Sequence, residues 1–257
     1  MKKKCFLIPC YNEQEKIGFI LDELFKFNPF KIVVLNDCST DQSFEILKKY
    51  KANYKNLTII NFKKNVGVSK VKITGIAYYQ NLLNNKEIED DDYIIKLDGD
   101  GQHNMNDVSR LIDFTEKTNY DFIQTNRDLK EYPFYKKIGN LIFQLNICLF
   151  SFRYIPDPMS GLKLIKMKLL NRILKYFQGF RYSAAQEISL ILSREKNSYF
   201  IFKINIDEYI SGAQFYNGFK VILGMFVCFF RIILKFKYDP LKRINDPLNN
   251  NNIEIID

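Results

Sequence analysis

Short apolar runs rich in β-branched and aromatic residues recur through the first half of the chain, at Cys5–Ile8, Ile32–Leu35, Leu57–Phe62, Tyr93–Leu97 and Phe122–Thr125. Runs of this length and composition predict strands. Between them, helical patterns extend over Glu13–Phe27, Asp41–Tyr50, Ser69–Leu83 and Asn106–Lys117. Strands alternating with helices predict an α/β fold with a mostly parallel sheet covered on both faces. In such sheets ligands bind at the carboxyl ends of the strands. The stretches "PCYNE", "LNDCSTD" and "LDGDGQH" stand at such ends and are expected to converge on one crevice.

After about residue 130 the pattern changes. Tyr135–Arg153 reads as a helix in which Lys137, Asn140, Gln144, Cys148 and Ser151 form a narrow polar stripe among large apolar residues. Phe219–Lys237 repeats the design, with Lys220, Gly224, Cys228, Arg231 and Lys235 as its stripe. A membrane-spanning helix wants about 20 apolar residues, and here charges recur on one face within that length. Two readings follow, a core helix of a soluble protein or an amphipathic helix lying in a membrane interface. Phe226, Phe229 and Phe230 so near Arg231, Lys235 and Lys237 favour the interface. The chain therefore divides into residues 1–212, the α/β domain, and residues 213–257, an interface helix followed by "NDPLNNNNIEIID", expected to be a frayed tail.

Composition narrows the picture. A chain of 257 residues with 47% hydrophobic and 26% charged residues can bury a full core. The net charge of +9 predicts an anionic partner. No nucleic-acid recognition motif accompanies it, so a phosphorylated metabolite or a membrane surface is the better fit. Five scattered cysteines without a CxxC pair argue for a reduced, cytosolic setting and against a zinc site. The basic start is followed by an apolar run too short for a signal peptide.

The chemistry centres on "YIIKLDGDGQH". Asp98 and Asp100 are two apart at a strand end, so they share a face and repel unless something positive joins them. A hard divalent cation, Mg2+ or Mn2+, suits such a pair and keeps open positions for phosphate oxygens. Gln102 adds a neutral oxygen, and Gly99 and Gly101 let a ligand approach the backbone. His103 is a further candidate ligand or an ordinary loop histidine, while Asp90 and Asp92 read as a solvated turn. Asp37, at its own strand end, is placed to accept from a base or ribose; Ser39, Thr40 and Asp41 beside it would cap the next helix whatever the function. Tyr11 offers a stacking face and Glu13 an acceptor, or simply a helix N-terminal acid.

The motifs "LIPCYNE", "VVLNDCSTD", "NVGVSKVKITG", "YIIKLDGDGQH", "TNR" and "DPMSGLK" are collinear over roughly residues 4–210. In order and spacing they resemble family-two glycosyltransferases of the GT-A fold, above all the polyprenyl-phosphate sugar transferases. The resemblance implies a nucleotide-sugar donor, UDP- or GDP-linked, with Pro9, Tyr11, Glu13 and Asp37 holding the nucleoside and Asp98 close by. It implies that Asp98, Asp100 and Gln102 place the metal on the diphosphate, that Arg127 meets a phosphate, and that Asp157 lies near the reacting centre. The implied reaction is inverting transfer to a polyprenyl phosphate at the cytosolic face of a membrane. The alternatives are transfer to a glycan hydroxyl, with Asp157 as general base, and an inactive sugar-nucleotide binder. The sequence departs from the family at Val66–Lys70, Asn36 and Cys38, which bears on base preference; Glu187 matches the later acidic stretch loosely.

Overall fold

The structure, a computed structural model, describes residues 2–130, 132–179, 184–194, 196–205, 226–227, 229–232, 234, 242, 248 and 251–257. In chain order its elements begin with β1 (Lys4–Cys10), α1 (Ile17–Phe25), β2 (Lys31–Asn36), α2 (Ser43–Asn53), β3 (Leu57–Phe62) and α3 (Val68–Asn84). They continue with β4 (Tyr93–Lys96), α4 (Met105–Lys117), β5 (Phe122–Arg127), α5 (Phe134–Ser151) and β6 (Lys163–Lys166). A 3-10 turn at Met167–Leu169 leads into α6 (Leu170–Tyr176), α7 (Ala184–Ser193), β7 (Tyr199–Ile204) and β8 (Ile253–Ile256).

The strands form one sheet in the order β7-β5-β6-β4-β1-β2-β3-β8. Pairings β1–β2, β1–β4, β2–β3 and β5–β7 are parallel; β6 runs against both β4 and β5, and β8 against β3. The sheet is buried on both faces because alternate side chains feed two cores. Cys5 and Leu7 of β1 join the cluster that includes Val71 of α3 and Ile188 of α7. Phe6 and Ile8 join the one that includes Ile20 of α1 and Leu111 of α4. The α/β expectation holds, with all five predicted strands and five predicted helices of the first 153 residues present. The first helix starts later than predicted, at Ile17, because residues 13–16 form a turn closed by the Lys16 and Ile17 amides on the Glu13 carbonyl.

The end of the chain departs from expectation. Far from fraying, β8 pairs antiparallel with β3, and Asp257 forms an ion pair with Lys31 at 2.7 Å and accepts from the Tyr78 hydroxyl at 2.9 Å. Four apolar-rich residues with a charged partner suffice once an edge strand is available. Most of the predicted Phe219–Lys237 helix, including Lys220, Lys235 and Lys237, lies outside the described residues, as does the boundary at 212–213. Of its described part, Phe229 and Ile232 are buried, Phe229 stacking on Phe150, while Phe226, Val227, Phe230 and Leu234 are exposed. Among the described residues no helix is long and apolar enough to cross a membrane.

Helix α5 turns its apolar surface outward. Phe134, Ile138, Leu141, Leu145 and Leu149 are exposed, whereas Asn146 is buried beside Phe143 and Ile147. The inward Asn140 donates to the Pro156 carbonyl at 3.0 Å.

Candidate active site

The ends of β1, β2 and β4 and the loop from β3 into α3 line a crevice of about 940 Å³, which takes in Pro9, Tyr11, Glu13, Asp37, Asp98, Gly99 and Asp100. The predicted convergence is therefore present. The first two loops are stitched together: Asn12 turns at φ 56°, its side chain accepts from the Thr40 amide at 2.8 Å, and Ser43 Oγ accepts from the Glu13 amide at 2.8 Å. Asp41 accepts from the Gln14 amide at 3.1 Å and from the Ser43 amide at 2.9 Å, so it organises the entry to α2. Tyr11 remains exposed, its ring available for stacking.

Asp37 is less free than expected. Its two carboxylate oxygens accept from the Val66 amide at 2.7 Å and the Gly67 amide at 2.9 Å, tying β2 to the loop before α3. Burial raises its pKa and those two amides partly offset the rise.

The two aspartates of β4 have different surroundings. Asp98 Oδ1 lies 3.1 Å from Lys72 Nζ and 3.8 Å from Lys96 Nζ. Burial would raise the Asp98 carboxyl, but Lys72 and Lys96 outweigh it and hold it well below the usual range. Asp100 accepts the Gln102 amide at 3.1 Å, and its pKa is raised by burial and by Asp98. Glu13 is pushed up to about 7 by burial and by Asp100, Asp41 and Asp98. The sequence therefore identified the repulsion correctly but missed its local answer, since two lysines neutralise Asp98 and leave the negative surplus at Asp100. One signal was legible: Lys96 stands two residues before Asp98, on the same strand face, within an apolar run. Lys72, from α3, carries no such mark.

Among the described residues no group of three or more His, Cys, Asp and Glu is arranged to hold an ion. A divalent cation still fits Asp100, whose carboxylate lies in a crevice with excess negative charge, provided that phosphate oxygens or water complete the shell. Gln102 meets Asp100 through its backbone amide. His103 is buried, and burial holds it down to about 4, so it is neutral at pH 7. It and Asp98 crowd onto Gly161, where an added Cβ would stand 2.9 Å from His103 Nε2. The glycine of "DPMSGLK" thus leaves room for the Asp98 carboxylate and the His103 ring beside it.

Arg127, at the end of β5, is committed to Asp157. Its Nε and Nη2 donate to the two carboxylate oxygens at 2.6 and 3.0 Å, and its amide donates to Oδ2 at 3.2 Å. Asp157 is fully buried. Burial would lower the guanidinium pKa, but Asp157 more than compensates. A buried guanidinium needs such a partner. The carboxylate expected as a general base is therefore spent on orienting an arginine. Beneath it, burial pushes the Lys163 ammonium well down in pKa, and Lys163 donates to Gln124 Oε1 at 2.8 Å, Ser189 Oγ at 2.9 Å and the Pro158 carbonyl at 3.1 Å. Glu187 is buried at the start of α7 and accepts from the Gln178 and Gly179 amides.

A sheet of this order, with a carboxylate pair beyond β4 and a crevice across the strand ends, has the GT-A fold. The chain belongs to glycosyl transferase family 2, whose profile matches residues 5–188. It is 26% identical over 245 residues to the UDP-N-acetylglucosamine–dolichyl-phosphate N-acetylglucosaminyltransferase of Methanococcus voltae, covering 89% of this chain and 94% of that protein. It is 25% identical over 181 residues to the undecaprenyl-phosphate 4-deoxy-4-formamido-L-arabinose transferase of Photorhabdus laumondii, covering 68% of this chain and 52% of the other. Glucosyl-3-phosphoglycerate synthase from Mycobacterium tuberculosis, solved with Mn2+, UDP-glucose and phosphoglyceric acid, shares the fold at a TM-score of 0.63 and 11% identity, over 89% of this chain and 80% of that one.

Proposed function

We propose that the protein transfers a sugar from a nucleotide-diphosphate donor, held in the crevice, to a polyprenyl phosphate at a membrane surface, with inversion at the anomeric carbon. One observation carries the choice of acceptor: Asp157, the carboxylate at the β5 side, is bound on both oxygens by Arg127. A hydroxyl acceptor needs a free base to remove its proton, whereas a phosphate arrives ionised and attacks directly. The relatives that act on dolichyl and undecaprenyl phosphates agree with this reading.

The residues divide the work. Tyr11 stacks on the base, while Glu13 and the backbone at Pro9 and Gly99 bound the nucleoside end of the crevice. Asp98, kept ionised by Lys72 and Lys96, accepts from the ribose. Asp100 would hold Mg2+ or Mn2+, which when bound supplies positive charge to the departing diphosphate. Arg127 gives Nε and Nη2 to Asp157, and Nη1 would meet the incoming phosphate. The exposed apolar face of α5, from Phe134 to Leu149, supplies a surface for the prenyl tail and for the bilayer on the cytosolic side.

The test is transfer of labelled sugar from a mixture of UDP- and GDP-sugars, with Mn2+ or Mg2+, to undecaprenyl or dolichyl phosphate and to lipid-linked glycans. Product on the lipid phosphates is expected. Product on the glycans alone would overturn the acceptor and leave the donor reading in place.

A further inference from the structure

Gln178 and Gly179 follow α6, and Gly179 forms part of the wall of the crevice. The strand-end chemistry does not account for what keeps them there. Gly179 has φ +73°, a conformation that side chains disfavour, and a Cβ added to it would stand 3.1 Å from the Phe177 ring. Both backbone amides donate to one carboxylate oxygen, Oε2 of Glu187, at 2.7 and 3.1 Å. Glu187 is 2% exposed. The Gln178 side chain is fixed at both ends: its Nε2 donates to the Tyr176 carbonyl at 2.8 Å, and its Oε1 accepts from Arg231 Nη1 at 3.0 Å. Arg231 stands two residues after Phe229, which stacks on α5 through Phe150.

A buried carboxylate oxygen shared by two amides is a committed acceptor, poorly suited to taking a proton from a substrate. We infer that Glu187 is a positioning residue that fixes the Gln178–Gly179 wall of the donor crevice, and that Arg231 completes the clamp. Nucleotide affinity then depends on a contact made by the C-terminal segment, far along the chain from the strand-end motifs. The inference rests on reading the crevice as the donor site.

Two measurements on the full chain test it. Amide hydrogen exchange reads the clamp without any ligand: the Gln178 and Gly179 amides are protected, and Glu187→Ala loses that protection while the core strands keep theirs. Unchanged protection in that variant overturns the clamp. Calorimetric binding of UDP and of GDP, each with Mn2+, reads the consequence. Glu187→Ala is expected to weaken the bound nucleotide roughly tenfold, from the loss of charge-assisted hydrogen bonds. Glu187→Gln keeps an acceptor oxygen and stays within about threefold, and Arg231→Ala weakens binding about threefold. Gly179→Ala displaces the same wall with Glu187 intact and should mimic Glu187→Ala, which covers a folding defect in the latter. Unaltered affinity together with a collapse of kcat in both Glu187 variants would make Glu187 a general base and overturn the proposal. If the unmodified chain binds neither nucleotide, the donor reading fails, while the exchange result still decides the clamp.

Discussion

At the end of β4, Asp98 faces Lys72 and Lys96 while Asp100 accepts from the Gln102 amide. At the end of β5, Asp157 binds the side chain and the backbone of Arg127. Both strand ends carry carboxylates, half-buried beyond β4 and fully buried beside β5, yet β4 leaves one of them without a cationic partner and β5 leaves none. Uncompensated charge in a crevice marks where a cationic ligand is wanted, whereas a saturated ion pair marks where geometry is being held. The same residue type is thus left with spare charge at one strand end and locked in an ion pair at the other.

The largest effect that would sharpen this contrast belongs to Asp100→Asn. It removes a charge that burial and Asp98 disfavour and keeps the packing, so transfer should fall roughly 10³-fold while the unfolding temperature near neutral pH stays the same or rises slightly. Retention of most metal-dependent turnover would break the assignment. Next comes Arg127→Ala, which strands a buried carboxylate and should cost about 3 kcal/mol in urea unfolding. The paired change Arg127→Met with Asp157→Leu should recover most of that stability but not the transfer activity, separating the structural role of the pair from its use.

Smaller effects lie outside the pair. Replacing Leu141, Leu145 and Leu149 with serine should lower partition onto anionic vesicles about tenfold, because each is an exposed apolar residue. Stability should barely move, which distinguishes a membrane-facing surface from a core. Smallest is the pH dependence of Glu13. Its folded pKa of about 7 lies above its ordinary value of 4.5, so the stability tied to its protonated form is complete below 4.5 and is lost as pH rises through 7. Glu13→Gln should therefore raise the melting temperature above pH 7, by no more than about 2 °C for a half-buried group, and leave it unchanged at acid pH.

Much of the β4 side was legible in the sequence, because its chemistry is local. Asp98, Gly99 and Asp100 are consecutive, and the strand–helix alternation alone sends Pro9, Tyr11 and Asp37 to the same edge. The β5 side was not, because Arg127 and Asp157 are joined by a contact spanning 30 residues that no periodicity encodes. Strand β6 was missed for a related reason. Its Lys163 and Lys166 read as polar, yet both are buried, Lys163 on Gln124 and Ser189, Lys166 on Asp91 and Asn119. The helix α5 and its broad apolar face were legible, and that face lies exposed; the short β8, built from four residues, gave too little signal to separate from a tail.

The antiparallel insertion of β6 between β4 and β5 also has a temporal meaning. Strands β1, β2 and β3 pair across registers such as Cys5↔Lys31 and Ile32↔Leu57, close along the chain, whereas Lys4↔Tyr93 and Tyr93↔Lys166 each wait on a segment more than seventy residues downstream. Closure of such distant pairs is the slow part of folding. The chain should therefore assemble β1 to β3, with Asp37 and the loop into α3, early, and bring Asp98 beside β1 and Gly161 against Asp98 late. Pulse-labelled hydrogen exchange during refolding should protect the β2 and β3 amides before those of β6. In a cell synthesising the protein from its N-terminus, the part of the crevice contributed by β1 to β3 would then stand before Asp98 and Asp100 joined it.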